Sequence, residues 1–407
     1  RKSRARAILV VTTNVQLDIQ VDPKHGPAYL EKYELKSNDA ILAEEKHLPI
    51  EFGELPGDHC ESTADGSYDD VVKNAEVTYV AGGAAQNAAR AAAVIETLSR
   101  TSCDPMIGLR LYNRMRGDTF TDIQYVLPAG SVAYIGSVGD DDLKKTLQAA
   151  NDAENVQSAY QVQPSPAKTG ACAVLISNHD RSLVTTLRAA EQFTPDHLAK
   201  PEIAELLNGA KYFYIEGYFL THGIESALEV AKGASAHGKT VVLNLSAPFI
   251  PQFFKMQLES LLPHVDILIG NESEAAAYAT AAGHGDASLE SVASTLAAFT
   301  KSNASRPRLV VITQGADSTL VASSSPSASP ANIKPTDSNP KVYPVPKLAS
   351  DKIVDTNGAG DMFAGGFLGA LATGKDIDEA IEVGHKLGQM CCGQIGPKLS
   401  FPKQTVL

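Results

Sequence analysis

Short apolar runs, each about the length of one strand, alternate with stretches of helical periodicity through the second half of the chain. The runs lie at 211–215, 240–245, 265–269 and 308–312, and helical patterns such as 225–237 and 288–299 fall between them. Continuous aliphatic runs predict strands buried on both faces, and regular strand–helix alternation predicts a parallel sheet covered on both sides. The first half is less regular. Strands are predicted at 7–11, 77–80, 131–135, 171–176 and 182–187, the last two around the polar turn Asn178, His179, Asp180, Arg181. Helices are predicted at 87–98 and 144–155. A last strand region is expected to end at 354–356, before helices at 360–371 and 377–392. Segments 54–72, 101–128 and 323–341 read as surface insertions. The pattern predicts an α/β fold with a central, mostly parallel sheet flanked by helices. Residues 1–14, 81–165 and 191–407 form the large domain. Residues 15–80 and 166–190 break the alternation and are expected to form a small second sheet over the strand ends.

Composition narrows the chemistry. The 407 residues are 43% hydrophobic and 20% charged, enough to bury a sizeable core. A formal net charge of -12 argues against nucleic acid or an anionic membrane as partner. An anionic ligand would need local positive potential from backbone amides, a few basic residues or a metal ion. The cysteines, Cys60, Cys103, Cys172, Cys391 and Cys392, are odd in number and contain no Cys-x-x-Cys pair. They read as free thiols of a reducing compartment, and the adjacent pair as small core residues. No apolar run approaches the ~20 residues of a membrane span. The basic start is followed by an apolar run too short for a signal-peptide core. A cytoplasmic location is expected, with the nucleus left open as a second.

Asp355, Thr356, Asn357, Gly358, Ala359, Gly360 and Asp361 form the strongest candidate site. They sit between a predicted strand and a predicted helix. Small residues let successive amides approach a ligand, and the free amides of a helix N-terminus make an anion hole. Asp361, in the first helical turn, would lie beside that hole. A carboxylate there suits the removal of a proton from an attacking hydroxyl, although acids also favour first turns for purely local reasons. The segment is neither a Walker A loop nor a dinucleotide fingerprint. Three weaker candidates are Gly82, Gly83 and Asn87 at a strand-to-helix turn, Asn14 and Asp18 beyond the first strand, and Asn271 with Glu274 after the run at 265–269. Asp18 could accept bonds from two ribose hydroxyls. Asn271 and Glu274 suit Mg²⁺ held mainly through waters, or else merely open a helix.

The 355–361 loop and the 81–87 segment resemble the two signatures of the ribokinase-like (PfkB) carbohydrate and nucleoside kinases. Segments 35–47, 169–181, 243–249, 266–276, 313–315 and 353–367 resemble the branch that phosphorylates adenosine. The resemblance implies a large α/β domain with a small β-rich lid, in a monomer working on adenosine and ATP with Mg²⁺. It implies that Asp361 is the base, that Gly358, Ala359 and Gly360 form the anion hole, and that Arg181 reaches the phosphates. Asn14 and Asp18 would hold the nucleoside with Gly82, Gly83 and Asn87. Ile41, Leu42, Cys172, Leu183, Leu187 and Phe219 would surround the base. ATP would lie near Asn244, Thr313, Gly315, Asn357 and His385, with Asn271 and Glu274 organising Mg²⁺ through water. Two positions depart from the family pattern: Thr13 replaces the usual Gly, and Gln16 a usual apolar residue. Another nucleoside or a sugar stays open as the substrate for that reason.

Overall fold

The computed structural model describes residues 9–12, 16–21, 24, 26–36, 40–42, 77–93, 130–177, 180–324, 340–397 and 399. Of these, 11, 12, 16, 17, 40, 77–79, 177, 180 and 181 are described by backbone alone. The strands are β1 (Leu9–Thr12), β2 (Gln16–Val21), β3 (Ala40–Leu42), β4 (Val77–Ala81), β5 (Val132–Gly139), β6 (Gln157–Gln163) and β7 (Gly170–Ser177). They continue with β8 (Asp180–Thr186), β9 (Tyr212–Glu216), β10 (Thr240–Asn244), β11 (Ile267–Asn271), β12 (Leu309–Gln314), β13 (Ser318–Ser323) and β14 (Lys341–Pro344). The helices are α1 (Gly26–Lys32), α2 (Ala84–Ala93), α3 (Asp142–Ala153), α4 (Pro201–Gly209), α5 (Ile224–Ala236) and α6 (Phe249–Phe253). They are followed by α7 (Lys255–Leu261), α8 (Glu272–Ala281), α9 (Leu289–Ala298), α10 (Ala359–Ala372) and α11 (Ile377–Cys392).

Among the described residues, nine strands form one sheet in the order β14-β13-β12-β11-β10-β9-β1-β5-β6. It is parallel from β12 to β6, and β13 and β14 close one edge as antiparallel strands. Side chains alternate across it, as the two-residue strand period requires. Leu9, Val132, Tyr134, Leu309 and Val311 enter one core, with α2, α10 and α11. Val10, Ala133, Ile135, Val310 and Ile312 enter the other, under α5, α8 and α9. Burial on both faces is why these strands read as unbroken apolar runs. The chain winds outward both ways from β1, and ligands of such sheets bind at the strand carboxyl ends near this switch.

A second sheet has the order β3-β8-β7-β2-β4. One face packs Ile19, Val21, Ala171, Ala173, Leu175 and Val184 against Tyr29 and Tyr33. Asp18 and Cys172 are paired neighbours on β2 and β7 and open instead into the space between the two sheets.

Three helices are pressed together beside the large sheet by residues lacking bulk. A Cβ on Gly365 of α10 would lie 2.4 Å from Ala88 O and 2.5 Å from Ala91 Cβ of α2. A Cβ on Gly366 would meet Leu387 Cδ1 of α11 at 2.8 Å. Larger side chains would force the helices apart.

The main departure from the sequence expectation lies just before the glycine loop. Residues 353–356 form no strand. Beyond β14 the segment leaves the sheet edge and crosses to α11, so its β-branched residues have no strand to pair with. The amides of Val354 and Asp355 donate instead to Cys392 O at 2.8 and 3.2 Å. Edge strand β6 was not expected from its polar sequence, nor were β13 and β14. Of the three expected insertions, 54–72, 101–128 and all but the ends of 323–341 lie outside the described residues.

At the amino end of the large sheet, Arg308 is fully buried. Its guanidinium donates to Val265 O (3.2 Å), Leu296 O (3.0 Å), Phe299 O (2.6 Å) and Leu262 O. It thereby satisfies carbonyls at the end of α9 and in the turn after α7. Arg308→Met would leave several buried carbonyls unpaired. We expect it to cost about 3–5 kcal/mol of stability, read by urea denaturation; a loss below about 1 kcal/mol would show that water replaces the guanidinium.

Candidate active site

A cavity of about 210 Å³ opens between the two sheets, over the carboxyl ends of the parallel strands. Four of those strands end on polar residues that line it: Glu216 of β9, Asn244 of β10, Asn271 of β11 and, one residue before its end, Thr313 of β12. The small sheet contributes Asp18, Ile41, Leu42, Cys172, Leu183 and Thr185, and Leu187 follows β8. The helix side contributes Gly83, Asn87, Asn357, Gly358, Gly360 and Asp361.

The glycine loop is held from behind. Asp355 accepts from Asn357 N at 2.6 Å and from Gly396 N at 2.8 Å. Cys391 Sγ donates to Asn357 O at 3.1 Å, so the buried cysteine supports the loop as well as filling the core. Gly358 caps α10 with φ 77°, in the left-handed region, and a Cβ there would press on Pro397 at 2.7 Å. The α10 ladder begins with Met362 N donating to Gly358 O at 2.9 Å. Amides ahead of it in the first turn have no acceptor within the helix. Gly360 lines the cavity, and nothing lies within 4 Å of its Cβ position.

Asp361 is tied to α2. Asn87 Nδ2 donates to Asp361 Oδ2 at 2.9 Å. Burial pushes the Asp361 carboxyl up to about 6, while the Asn87 bond and the Arg90 charge hold it down. Asp18 lies against Gly82, where a Cβ would fall 2.0 Å from its carboxylate oxygen. Burial pushes Asp18 up to about 7, Asp361 adds to the rise and Arg90 opposes it. Gly82 itself is buried behind Asp18 and does not line the cavity.

Asn271 caps α8 in a reciprocal box. Its Oδ1 accepts from Glu274 N, and Glu274 accepts from Asn271 N and Nδ2, all at 2.9 Å. The local helix-opening role therefore holds, and both residues also face the cavity. Burial pushes Glu274 up to about 7, the Asn271 amide opposes this, and Glu272 and Asp361 add to it. Among the described residues, no three His, Cys, Asp or Glu side chains converge closely enough to hold a metal directly. The side-chain oxygens of Asn271 and Glu274 at the cavity wall suit a hard cation carried mainly with its own waters.

Phe219 and His385 do not line the cavity. Phe219 follows β9 in a 3₁₀ turn, where successive side chains point about 120° apart. Its ring enters the core, 5.6 Å from Phe193 and 5.4 Å from His222, and the neighbouring Tyr218 faces the cavity in its place. His385 is buried on α11, bonded to Thr319 Oγ1 at 2.8 Å and packed 5.7 Å from Phe363. Phe363 lines the cavity, so His385 stands one layer behind it. Gly315 forms the β12–β13 turn at φ 53° and Ala359 opens α10, neither in the cavity wall. Asn14, Thr13 and the side chains of Gln16 and Arg181 lie outside the described residues. Sequence reasoning missed Glu216, Tyr218, Ser246 and Phe249. A signal existed for Glu216, a charged residue at the end of an apolar run. Ser246 has φ 68° and accepts from Gly217 N at 2.8 Å, bending the chain so that Phe249 reaches the cavity.

Residues 119–404 match the model of the pfkB family carbohydrate kinases. The adenosine kinase of Schizophyllum commune is 48% identical over 97% of both chains. The chain belongs to the pfkB family, among its adenosine kinases. The adenosine kinase of Saccharomyces cerevisiae is 38% identical over 98% of each chain. Anopheles gambiae adenosine kinase, solved with P1,P4-di(adenosine-5) tetraphosphate, is 35% identical, with a TM-score of 0.78 over 96% of this chain and 97% of that one. The Schistosoma mansoni adenosine kinase, solved with adenosine and AMP, is 27% identical, with a TM-score of 0.77 over 97% and 98%. ATP is the phosphoryl donor of this kinase family.

The raised Glu274 carboxyl gives this pfkB kinase a definite pH response. A carboxyl raised on folding stabilises the native state fully below about pH 4.5 and loses that contribution as pH rises through about 7. Glu274→Gln removes the titration. Without ligands, the variant should gain stability relative to the parent between about pH 4.5 and 8 in urea denaturation. A pH-independent difference would show that Glu274 does not titrate in this range.

Proposed function

We infer that this chain is an adenosine kinase that transfers the γ-phosphoryl group of ATP to the 5′-hydroxyl of adenosine, giving AMP and ADP. The observation that carries the reading is Asp361: a buried carboxylate held by Asn87, beside approachable first-turn amides, in a cavity shared with Asp18. Asp18 accepts bonds from the ribose hydroxyls, Gly82 makes room for the Asp18 carboxylate, and Gly83 in the cavity wall lets the sugar come close. Ile41, Leu42, Cys172, Leu183 and Leu187, with Tyr218 and Phe249, wall the base. Asn14 adds a contact to the nucleoside. The 5′-oxygen then lies beside Asp361, which takes its proton as the oxygen bonds to the γ-phosphorus. The bond from that phosphorus to the β–γ bridging oxygen breaks, and ADP leaves with the electron pair.

The amides of Gly358 and Gly360, which line the cavity, and that of Ala359, which also donates to Thr356 O at 3.3 Å, receive negative charge from the transferring group, because first-turn N–H groups have no acceptor within the helix. Asn244, Thr313 and Asn357 flank the ATP side. Arg181, on β8 of the small sheet, reaches the phosphates when that sheet closes. Mg²⁺ entering with ATP would offset phosphate charge, and Asn271 and Glu274 would hold its waters. We take residues 15–80 and 166–190 as a lid over the large domain, whose closure excludes water that would otherwise hydrolyse ATP. Making AMP from a preformed nucleoside is a purine salvage step. The free thiols of Cys172, Cys391 and Cys392 suit the reducing cytoplasm.

Asp361→Asn should keep adenosine affinity within a few-fold and cut turnover by about 10²–10⁴. Calorimetry and ATP-dependent AMP formation measure the two, and near-normal turnover would remove Asp361 as the base. Gln16 favours a second reading, in which another nucleoside or a sugar is preferred. A panel of nucleosides and ribose decides it: kcat/KM should be highest for adenosine, and a higher value for any other acceptor would reassign the substrate.

A further inference from the structure

We propose that Arg90 is a positioning residue for phosphoryl transfer, whose guanidinium fixes which end of the Asn87 amide faces Asp361 and so keeps Asp361 able to accept a proton. The inference rests on Asp361 being the base.

The geometry leaves Asn87 one orientation. A guanidinium offers only donors. Arg90 Nη2 lies 2.5 Å from Asn87 Oδ1 and 2.6 Å from Ala81 O. The Asn87 carbonyl is therefore committed to Arg90, and its NH₂ turns to Asp361 Oδ2 at 2.9 Å. A donor aimed at a carboxylate favours the ionised form. A flipped amide would set its oxygen against the carboxylate and disfavour ionisation. Asn87 and Arg90 are three apart on α2, so they lie on one helical face and the arrangement is built into a single turn.

The same Nη2 group reaches the substrate side. Ala81 ends β4, directly before the Gly82–Gly83 turn that lies against Asp18. One buried guanidinium thus connects the small sheet's edge, the Asn87 amide and the base. Arg90 is itself only 6% exposed. Burial disfavours its charge, while Glu154 after α3, Asp18 on β2, Tyr160 on β6 and Asp361 on α10 favour it.

Other groups around Asp361 pull against ionisation. Glu274 on α8 and Asp18 on β2 interact with it as like charges. Tyr214 of β9 and Tyr218 beyond it are also within its field. On α11, packed against α10, His385 is occupied by Thr319. Arg90 is the one cation acting on Asp361 among the described groups. A single cation within bonding reach of the amide's oxygen has no substitute here.

The test is the single-turnover rate of phosphoryl transfer against pH, with adenosine and ATP saturating so that Asp18 is engaged by the nucleoside. Circular dichroism confirms folding. In Arg90→Met the acid limb should move up by about one pH unit, because a nearby opposite charge is lost. The plateau should fall about 10–100-fold as Asn87 loses its fixed orientation. Arg90→Gln carries the same expectation and serves if the Met variant does not fold. Arg90→Lys keeps the charge and should return the limb toward its original position, with the plateau still lowered. An unmoved limb in a folded Met or Gln variant would leave Arg90 a packing role and overturn the proposal. The two readings separate cleanly: near-normal turnover in Asp361→Asn removes the base, whereas an inactive Asp361→Asn with an unmoved limb in the Arg90 variants removes only this inference.

Discussion

The hydrogen bond from Asn87 to Asp361 joins residues 274 positions apart on two helices that touch through small side chains. Its 2.9 Å length depends on α2 and α10 lying closer than ordinary side chains permit. Gly365 against Ala88 and Ala91 provides that approach, and Gly366 against Leu387 does the same on the other flank. The Asp361 carboxylate is therefore positioned by packing beneath it as much as by the loop that carries it. The loop has its own anchors, Asp355 in front and the end of α11 behind, so two independent sets of contacts converge on the first turn of α10.

Charge balance sets a second constraint. The cavity gathers Asp18, Glu216, Glu274 and Asp361 in a chain of net charge -12, and its donor substrate is an anion. Burial moves three of these carboxyls toward neutrality. Arg90 and the first-turn amides of α10 supply positive potential from within. Because Asp18 stands on the small sheet and the other three on β9, α8 and α10 beside the large one, the balance is reached only across the gap between the sheets.

Much of the fold was legible because of how the large sheet is built. Strands buried on both faces leave unbroken apolar runs, and β9, β10, β11 and β12 lie where such runs stand in the sequence. Strands β6 and β14 are partly wetted sheet edges and carry no comparable signal, and β13, although buried over 319–322, has only three consecutive aliphatic residues between polar ones. The expected strand at 354–356 failed for the converse reason, since β-branched residues there donate to a helix end instead of a ladder. Within the site, Asp18, Asn87, Asn271, Glu274 and Asp361 were found because their residue types suit the chemistry at strand ends and helix starts. Phe219 and His385 were misplaced, because sequence spacing does not say which way a 3₁₀ turn or a helix aims a particular ring.

By itself the sequence determined the alternation that makes a parallel sheet, and a loop whose small residues leave amides open beside an acid. Both are local properties, written in side-chain volume, polarity and backbone freedom over a few neighbouring positions. The tertiary structure alone decided that Asn87 meets Asp361, that Tyr218 and not Phe219 faces the cavity, and that Asp18 enters the cavity wall from another sheet. Those contacts join residues far apart in the chain, so they depend on distances between packed elements that no local pattern encodes.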